Sequence, residues 1–280
     1  MDLEDFRRSS FETWGAMAPG WERWRAHIDE STAPVRRWLI GTLAPRSGDT
    51  ILELSAGVGD TGFEAAKLVG GAGGRLISSD FSPAMLEVAR RRGDELGLTN
   101  VEYRVIDAEQ IELADDSVDG VLCRFGYMLM ADPRRALTET RRVLRSGGRL
   151  VLAVWGPPER NPWGGVAAGI LMEQGHLPPP DPDAPSPFSM ASEERTREML
   201  TSAGFSEIDI EEVPVRFIVG DIAEYESFAT DTAGPFAMAI RALDDDQRAA
   251  LRLRLDEGLA GFQAGGRYEI PGVALGAVAN

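Results

Sequence analysis

The chemistry-bearing residues of this chain are acids spaced around a glycine run. Gly57-Val58-Gly59-Asp60-Thr61-Gly62 satisfies the pattern G-x-G-x-x-G, and Asp80 follows Gly62 by 18 residues. Glycines at such places allow a tight turn and a close backbone approach to a ligand, and an acid at that distance suits ribose hydroxyls. A second acid precedes the run, giving Glu53-x-Ser55-x-Gly57-x-Gly59. A pyrophosphate has no use for the Glu53 carboxylate, whereas a ligand carrying ammonium and sulfonium groups does. Asp107-Ala108-Glu109 and Arg124 follow at the ends of later apolar runs. Taken singly, each has a plain alternative: a glycine turn without ligand, Asp107 as a loop cap, Asp119 in a solvated turn.

The elements that must position these residues alternate. Thr50 to Leu54 reads as a buried strand, the glycine run as its exit loop, and Phe63 to Val69 as a helix. Arg75 to Ser79, Val101 to Ile106, Val118 to Arg124 and Arg149 to Trp155 continue as strands. Pro83 to Leu96 is a helix, and Asp132-Pro133 opens another that runs through Leu144 until Ser146-Gly147-Gly148 stops it. Such alternation predicts a parallel sheet covered on both faces. Ahead of it, Pro19-Gly20 predicts a break between two helices, with Pro34 in the first turn of the second. Beyond Trp155 the rhythm gives way to a proline-rich stretch, 156–190, with a helical segment near Val166 to Met172. Glu193 to Ala203 reads as helix, Ile208 to Val219 as strand, 221–262 as helix and Tyr268 to Val278 as a closing strand.

In this order and spacing the segment 50–155 resembles the class I S-adenosylmethionine-dependent methyltransferases, whose first motif is acid-x-Gly-x-Gly-x-Gly. Ser55 departs from the first glycine and is less free in φ. Ser79-Asp80-Phe81-Ser82-Pro83-Ala84-Met85-Leu86 is similar to the second motif, and Asp107-Ala108-Glu109 to the adenine segment. Ala114 to Val121 with Arg124, and Arg142 to Leu150, resemble the fourth-strand and following regions. The nearest resemblance is to the ubiquinone/menaquinone methyltransferase-like branch. It implies S-adenosylmethionine as cofactor, bound by Glu53, Ser55, Gly57, Gly59, Asp80, Phe81, Met85, Asp107, Ala108, Glu109 and Arg124. Asp80 would take both ribose hydroxyls and Asp107 the exocyclic amine. It further implies a small-molecule acceptor, methylated on carbon, oxygen or nitrogen.

Composition narrows the alternatives. A net charge of −16 argues against a nucleic-acid partner or an anionic lipid surface. Cys123 is the only cysteine and His27 and His176 the only histidines, so thiolate or multi-histidine metal centres are not expected. No apolar run reaches membrane-spanning length, and the acidic start Met1-Asp2-Leu3-Glu4-Asp5 lacks the features of a secretory signal. A cytoplasmic protein is expected, with homo-oligomerisation open. His27 and His176 are the candidate general bases by pKa, a surface or structural role is favoured for each, and no catalytic residue is assigned. Trp14, Trp21, Trp24, Trp155, Pro162 and Trp163 either converge on the acceptor or pack in the core.

The expected architecture is α/β, a Rossmann-like methyltransferase fold. Its mostly parallel seven-stranded sheet carries helices on both faces, with N-terminal helices and a helical insertion forming a cap. One domain, 1–280, would comprise an N-terminal cover (1–44), a cofactor-binding core (45–155), cap insertions (156–191 and 221–265) and the remaining sheet (192–220 and 266–280). The function expected is methyl transfer to a small apolar or aromatic molecule. A non-catalytic S-adenosylmethionine-binding protein and a nicotinamide-dependent oxidoreductase are the alternatives.

Overall fold

A computed structural model describes residues 3–179, 181 and 184–280. Met1 and Asp2 of the acidic start, and Pro180 and Pro182 of the proline-rich stretch, lie outside the described residues. In chain order the elements are α1 (Leu3–Leu43), β1 (Thr50–Leu54), α2 (Asp60–Val69), β2 (Arg75–Asp80), α3 (Pro83–Glu95) and β3 (Val101–Val105). There follow β4 (Val118–Arg124), α4 (Pro133–Val143), β5 (Leu144–Trp155), α5 (Pro162–Glu173), α6 (Glu193–Ser202) and β6 (Asp209–Val219). The chain closes with α7 (Ile222–Thr232), α8 (Pro235–Arg241), α9 (Asp245–Leu259), β7 (Gln263–Ala264) and β8 (Arg267–Ala279).

Seven strands form a path in the order β3-β2-β1-β4-β5-β8-β6, and the two-residue β7 pairs with β8 beside it. β1 to β5 are mutually parallel, and β8 runs antiparallel to both β5 and β6. Thr50 to Leu54 and Leu150 to Trp155 are buried at every position, without alternation, as strands covered on both faces must be. The order reverses between β1 and β4, so the crevice at their carboxyl ends is the place where such sheets bind ligands. Local signals set many boundaries. Asp132 accepts from the Arg135 amide with Pro133 in the first turn, Ser82 caps α3, and Asp244 forms a capping box with Gln247.

Two expectations fail. β5 begins at Leu144 rather than Arg149: its pairing with β4 shifts register between Val118 and Gly120, so Ser146-Gly147-Gly148 lies within the strand as an irregularity. The N-terminal region is one helix of 41 residues, not two, with Pro19 and Pro34 inside it. Tertiary contact overrides the breakers. The buried positions Met17, Ala18, Gly20, Ile28, Val35 and Leu39 recur along one side, and the helix spans about 60 Å. The Trp21 indole donates to the Thr232 carbonyl (3.1 Å) and the Trp24 indole to the Asp231 carboxylate (2.9 Å), strapping α1 to α7. Gly20 is at the crossing, where a Cβ would stand 2.2 Å from the Asp231 carbonyl oxygen. No described helix is long and apolar enough to cross a membrane.

The crossing supplies a test. Gly20→Ala should destabilise the protein by about 1–3 kcal/mol through overpacking. Gly15→Ala, with open space around the added methyl, should be neutral or gain up to about 1 kcal/mol. Urea midpoints at constant slope compare the two; equal effects would mean that the α1–α7 approach is not tight.

Candidate active site

The carboxyl ends of the parallel strands open on a cavity of about 240 Å³, roofed by α1 and by the elements after β5. Its lining includes every sequence-predicted cofactor residue except Gly59. Glu53 ends inside β1 and is 3% exposed. Its carboxyl accepts from the Gly62 amide at 2.7 Å, and a Cβ on Gly62 would stand 2.1 Å from its other oxygen. The acid and the last glycine of the pattern therefore require each other. Gly59 has φ +90°, and a Cβ there would meet the Phe63 ring at 2.4 Å, so this glycine serves the turn and its packing instead of the cavity. Ser55 holds φ +53°, the left-handed conformation the glycine pattern anticipates.

Asp80, at the end of β2, accepts from the Gly57 amide on one oxygen and the Ser82 amide on the other, both at 2.9 Å. Gly57 itself has φ +55° and nothing within 4 Å of where a Cβ would stand. It therefore leaves open a cradle that a side chain would fill. Asp107 is exposed and accepts from the Glu109 amide at 2.9 Å. Glu109 is occupied by the protein: its carboxylate takes the Arg7 guanidinium of α1 and the Asp132 amide (3.0 Å). This pins the first turns of α1 across the cavity beside the Phe11–Phe81 edge contact at 6.1 Å.

The far end of the cavity is aromatic. Phe125, in the left-handed conformation at φ +60°, stacks on Trp155 with centroids 3.9 Å apart and planes at 11°. Trp163 lies 4.7 Å from Trp155 and 5.2 Å from Phe217, which in turn lies 5.9 Å from Phe228. All five rings line the cavity, as do Trp14 and Trp21. Trp24 and Pro162 do not.

Comparison with known proteins gives this geometry an owner. A methyltransferase domain model matches residues 54–152. The chain is 40% identical over 126 residues to a demethylmenaquinone methyltransferase of Clavibacter sepedonicus, covering 43% of this chain and 48% of the relative, about half its length. It is 31% identical over 184 residues to the ubiquinone/menaquinone biosynthesis C-methyltransferase UbiE of Klebsiella pneumoniae, covering 62% of this chain and 73% of that protein. The chain belongs to the class I S-adenosylmethionine-dependent methyltransferases, in their UbiE-like branch. The fold agrees: the YcgJ protein of Bacillus subtilis superposes with a TM-score of 0.57 at 19% identity, over 87% of this chain and 96% of that one. Membership answers the nicotinamide alternative, and Glu53 is the residue that separated the two in the sequence.

The two histidines stand outside the cavity lining. His27 lies behind the wall, its ring 5.0 Å from Phe228 and 6.4 Å from Phe217, with Nε2 buried and unpartnered among the described residues. Burial pushes its pKa down, against the pull of Glu224 and Glu30. Two hydroxyl-bearing residues of the lining are turned onto the main chain: Tyr225 donates to the Trp163 carbonyl and Thr232 to the Phe228 carbonyl (2.7 Å). Sequence reasoning missed Arg7, Thr32, Phe125, Phe217, Tyr225 and Phe228. Only Phe125 carried a signal, its place immediately after a strand end.

Charge at the floor is coupled. Arg124 ends β4 half-buried and donates to the Thr32 hydroxyl of α1 at 2.8 Å. Burial lowers its pKa, opposed by Asp60, Glu53 and Asp29. Burial raises Asp60, against Arg124 and Arg92, and lifts Asp80 to about 6 against its two amide donors. Glu53 is pushed up to about 8 by burial, against the Gly62 amide and Arg124.

The sign for stability follows. Between the ordinary glutamate pKa near 4.5 and about 8, folded Glu53 keeps a proton that the unfolded chain has released. The native state binds more protons there, so stability falls as pH rises across that window. The slope from this one group reaches at most about 1.4 kcal/mol per pH unit. Urea midpoints of the cofactor-free protein at pH 5, 6.5 and 8 should decline, and Glu53→Gln should flatten the decline. An equally steep decline in the variant would assign the dependence to other groups.

Proposed function

We propose that this protein transfers a methyl group from S-adenosylmethionine to a small, flat, apolar acceptor of the quinol type, at carbon. The observation that carries the reading is one continuous cavity whose carboxylate-lined end meets an aromatic end. The names of the UbiE-like relatives support a quinone-type ring and carbon as the atom methylated.

The cofactor roles follow from chemistry at the carboxylate end. Asp80 binds the two ribose hydroxyls with the lone pairs left by its amide donors, and Asp107 accepts from the adenine amine. Ala108, Phe81 and Met85 supply apolar contact for the adenine, and the Ser55–Gly57 backbone lies against the amino-acid part. Glu53 and Arg124 orient its ammonium and carboxylate. The open space beside Gly57 fits such a group. When bound, S-adenosylmethionine supplies a methyl already activated by its sulfonium. The chain's own task is alignment and exclusion of water, which in favourable cases is worth about 7–11 kcal/mol of barrier. α1 contributes to the outer wall through Phe6 and Arg7. No general base is assigned: His27 is behind the rings, and the ring proton of a quinol leaves to water after transfer.

Two measurements test the reading. Calorimetry should detect adenosylhomocysteine binding, and Asp80→Ala should weaken it about tenfold or more, since one charge-assisted hydrogen bond is worth about 1.5–3 kcal/mol. Unchanged affinity in the folded variant would remove Asp80 from the ribose. With methyl-labelled S-adenosylmethionine, 1,4-dihydroxynaphthalene should gain a carbon-bound methyl detectable by mass spectrometry. Cofactor binding without transfer to any uncharged aromatic acceptor would overturn the acceptor class.

A further inference from the structure

Asn161 follows Pro157, Pro158 and a short turn at the exit of β5, and by position it is the N-cap of α5. An asparagine there ordinarily bonds its own helix's first amides. Here it makes no such bond, and α5 begins instead with a proline. The side chain, fully buried, reaches away from the helix. Its amide nitrogen donates to the carbonyls of Gly156 (3.0 Å), Pro157 (3.1 Å) and Val273 (3.0 Å). Its oxygen accepts from the Val273 amide and from the Trp163 indole, both at 3.0 Å. One side chain thus joins the end of β5, the middle of β8 and an aromatic wall of the cavity.

The indole matters because of what it no longer offers. Trp163 lines the cavity, but its side chain's only polar hydrogen is occupied by Asn161, and its carbonyl is occupied by the Tyr225 hydroxyl. Gly272 makes room for the pair: a Cβ there would stand 2.8 Å from the Asn161 oxygen and 3.1 Å from Trp163 Cδ1. A buried donor left without a partner seeks one, and an indole released from Asn161 would find it in a polar ligand.

We propose that Asn161 is a positioning residue that sets acceptor specificity: it turns the Trp163 N–H away from the cavity, so that an acceptor meets only the ring and polar molecules of equal size are disfavoured. The inference rests on the reading that the acceptor occupies the aromatic end.

The test uses adenosylhomocysteine-saturated protein and the fluorescence of N-phenyl-1-naphthylamine, displaced by naphthalene or by quinoline, its equal in size with a hydrogen-bond-accepting nitrogen. Trp163→Ala should weaken the fluorescent probe at least tenfold while adenosylhomocysteine affinity stays within twofold; unchanged probe binding would defeat the acceptor reading itself. Given that result, Trp163→Phe should keep the wild-type preference for naphthalene over quinoline, because the ring remains and the N–H is gone. Asn161→Ala should shift the naphthalene-to-quinoline ratio at least fivefold towards quinoline. Gly272→Ala, which displaces the same pair without altering Asn161, should shift it in the same direction, and decides the matter if Asn161→Ala does not fold. An unchanged ratio in the folded variants, or a parallel loss of adenosylhomocysteine affinity, would reduce Asn161 to a structural role and overturn the proposal.

Discussion

A carboxyl group buried at the end of the central strand is the constraint around which the rest is arranged. Glu53 receives the Gly62 amide from the first turn of α2, in the space where any larger residue would place its Cβ. That contact fixes the strand–loop–helix geometry and leaves the same carboxyl facing the cavity. Desolvation makes the group reluctant to ionise, and the amide donor and the nearby cation offset that only in part. Arg124 is the nearby cation, and it reaches α1 through Thr32. The loop, the sheet and the N-terminal helix are therefore tied through one polar floor.

The N-terminal helix extends that coupling along the length of the site. Its first turns meet Glu109 and Phe81 at the carboxylate end, and its middle carries Thr32 to Arg124. Trp21 and Trp24 strap it to α7, an element that supplies Tyr225 and Phe228 to the aromatic end. One helix thus contacts both ends of the cavity. The expectation of a broken cover would have given two independently attached pieces.

The aromatic end is built by opposite means. The polar groups of Trp163, Tyr225 and Thr232 are satisfied by Asn161 or by the main chain, which leaves carbon surfaces towards the ligand space. Strain accompanies the arrangement, as it often does at sites of function: Phe125 is held in a left-handed conformation unfavourable for a bulky residue, and stacking on Trp155 goes with it. Recognition at this end is by shape and dispersion, whereas the other end acts by hydrogen bonding and charge.

The sequence by itself determined what depends on neighbours along the chain. Buried runs such as Thr50 to Leu54, caps such as Asp132 and Ser82, and turn glycines such as Gly57 and Gly59 express local preference, and their order dictated the alternating sheet. Because strand ends follow from the runs, the site acids Glu53, Asp80 and Asp107 and the cation Arg124 were legible as one set. Tertiary structure decided what depends on packing between distant segments. Pro19 and Pro34 signal breaks locally, yet contacts with α7 and the sheet carry the helix through both. Asn161 reads as a helix cap, and only the approach of β8, more than a hundred residues later, turns its side chain to Val273 and Trp163. Glu109 reads as a cofactor residue, and only α1 folding across 102 positions occupies its carboxylate. Phe217, Tyr225 and Phe228 carry no local mark of a site, because a ring becomes a cavity wall only when the opposite wall is in place.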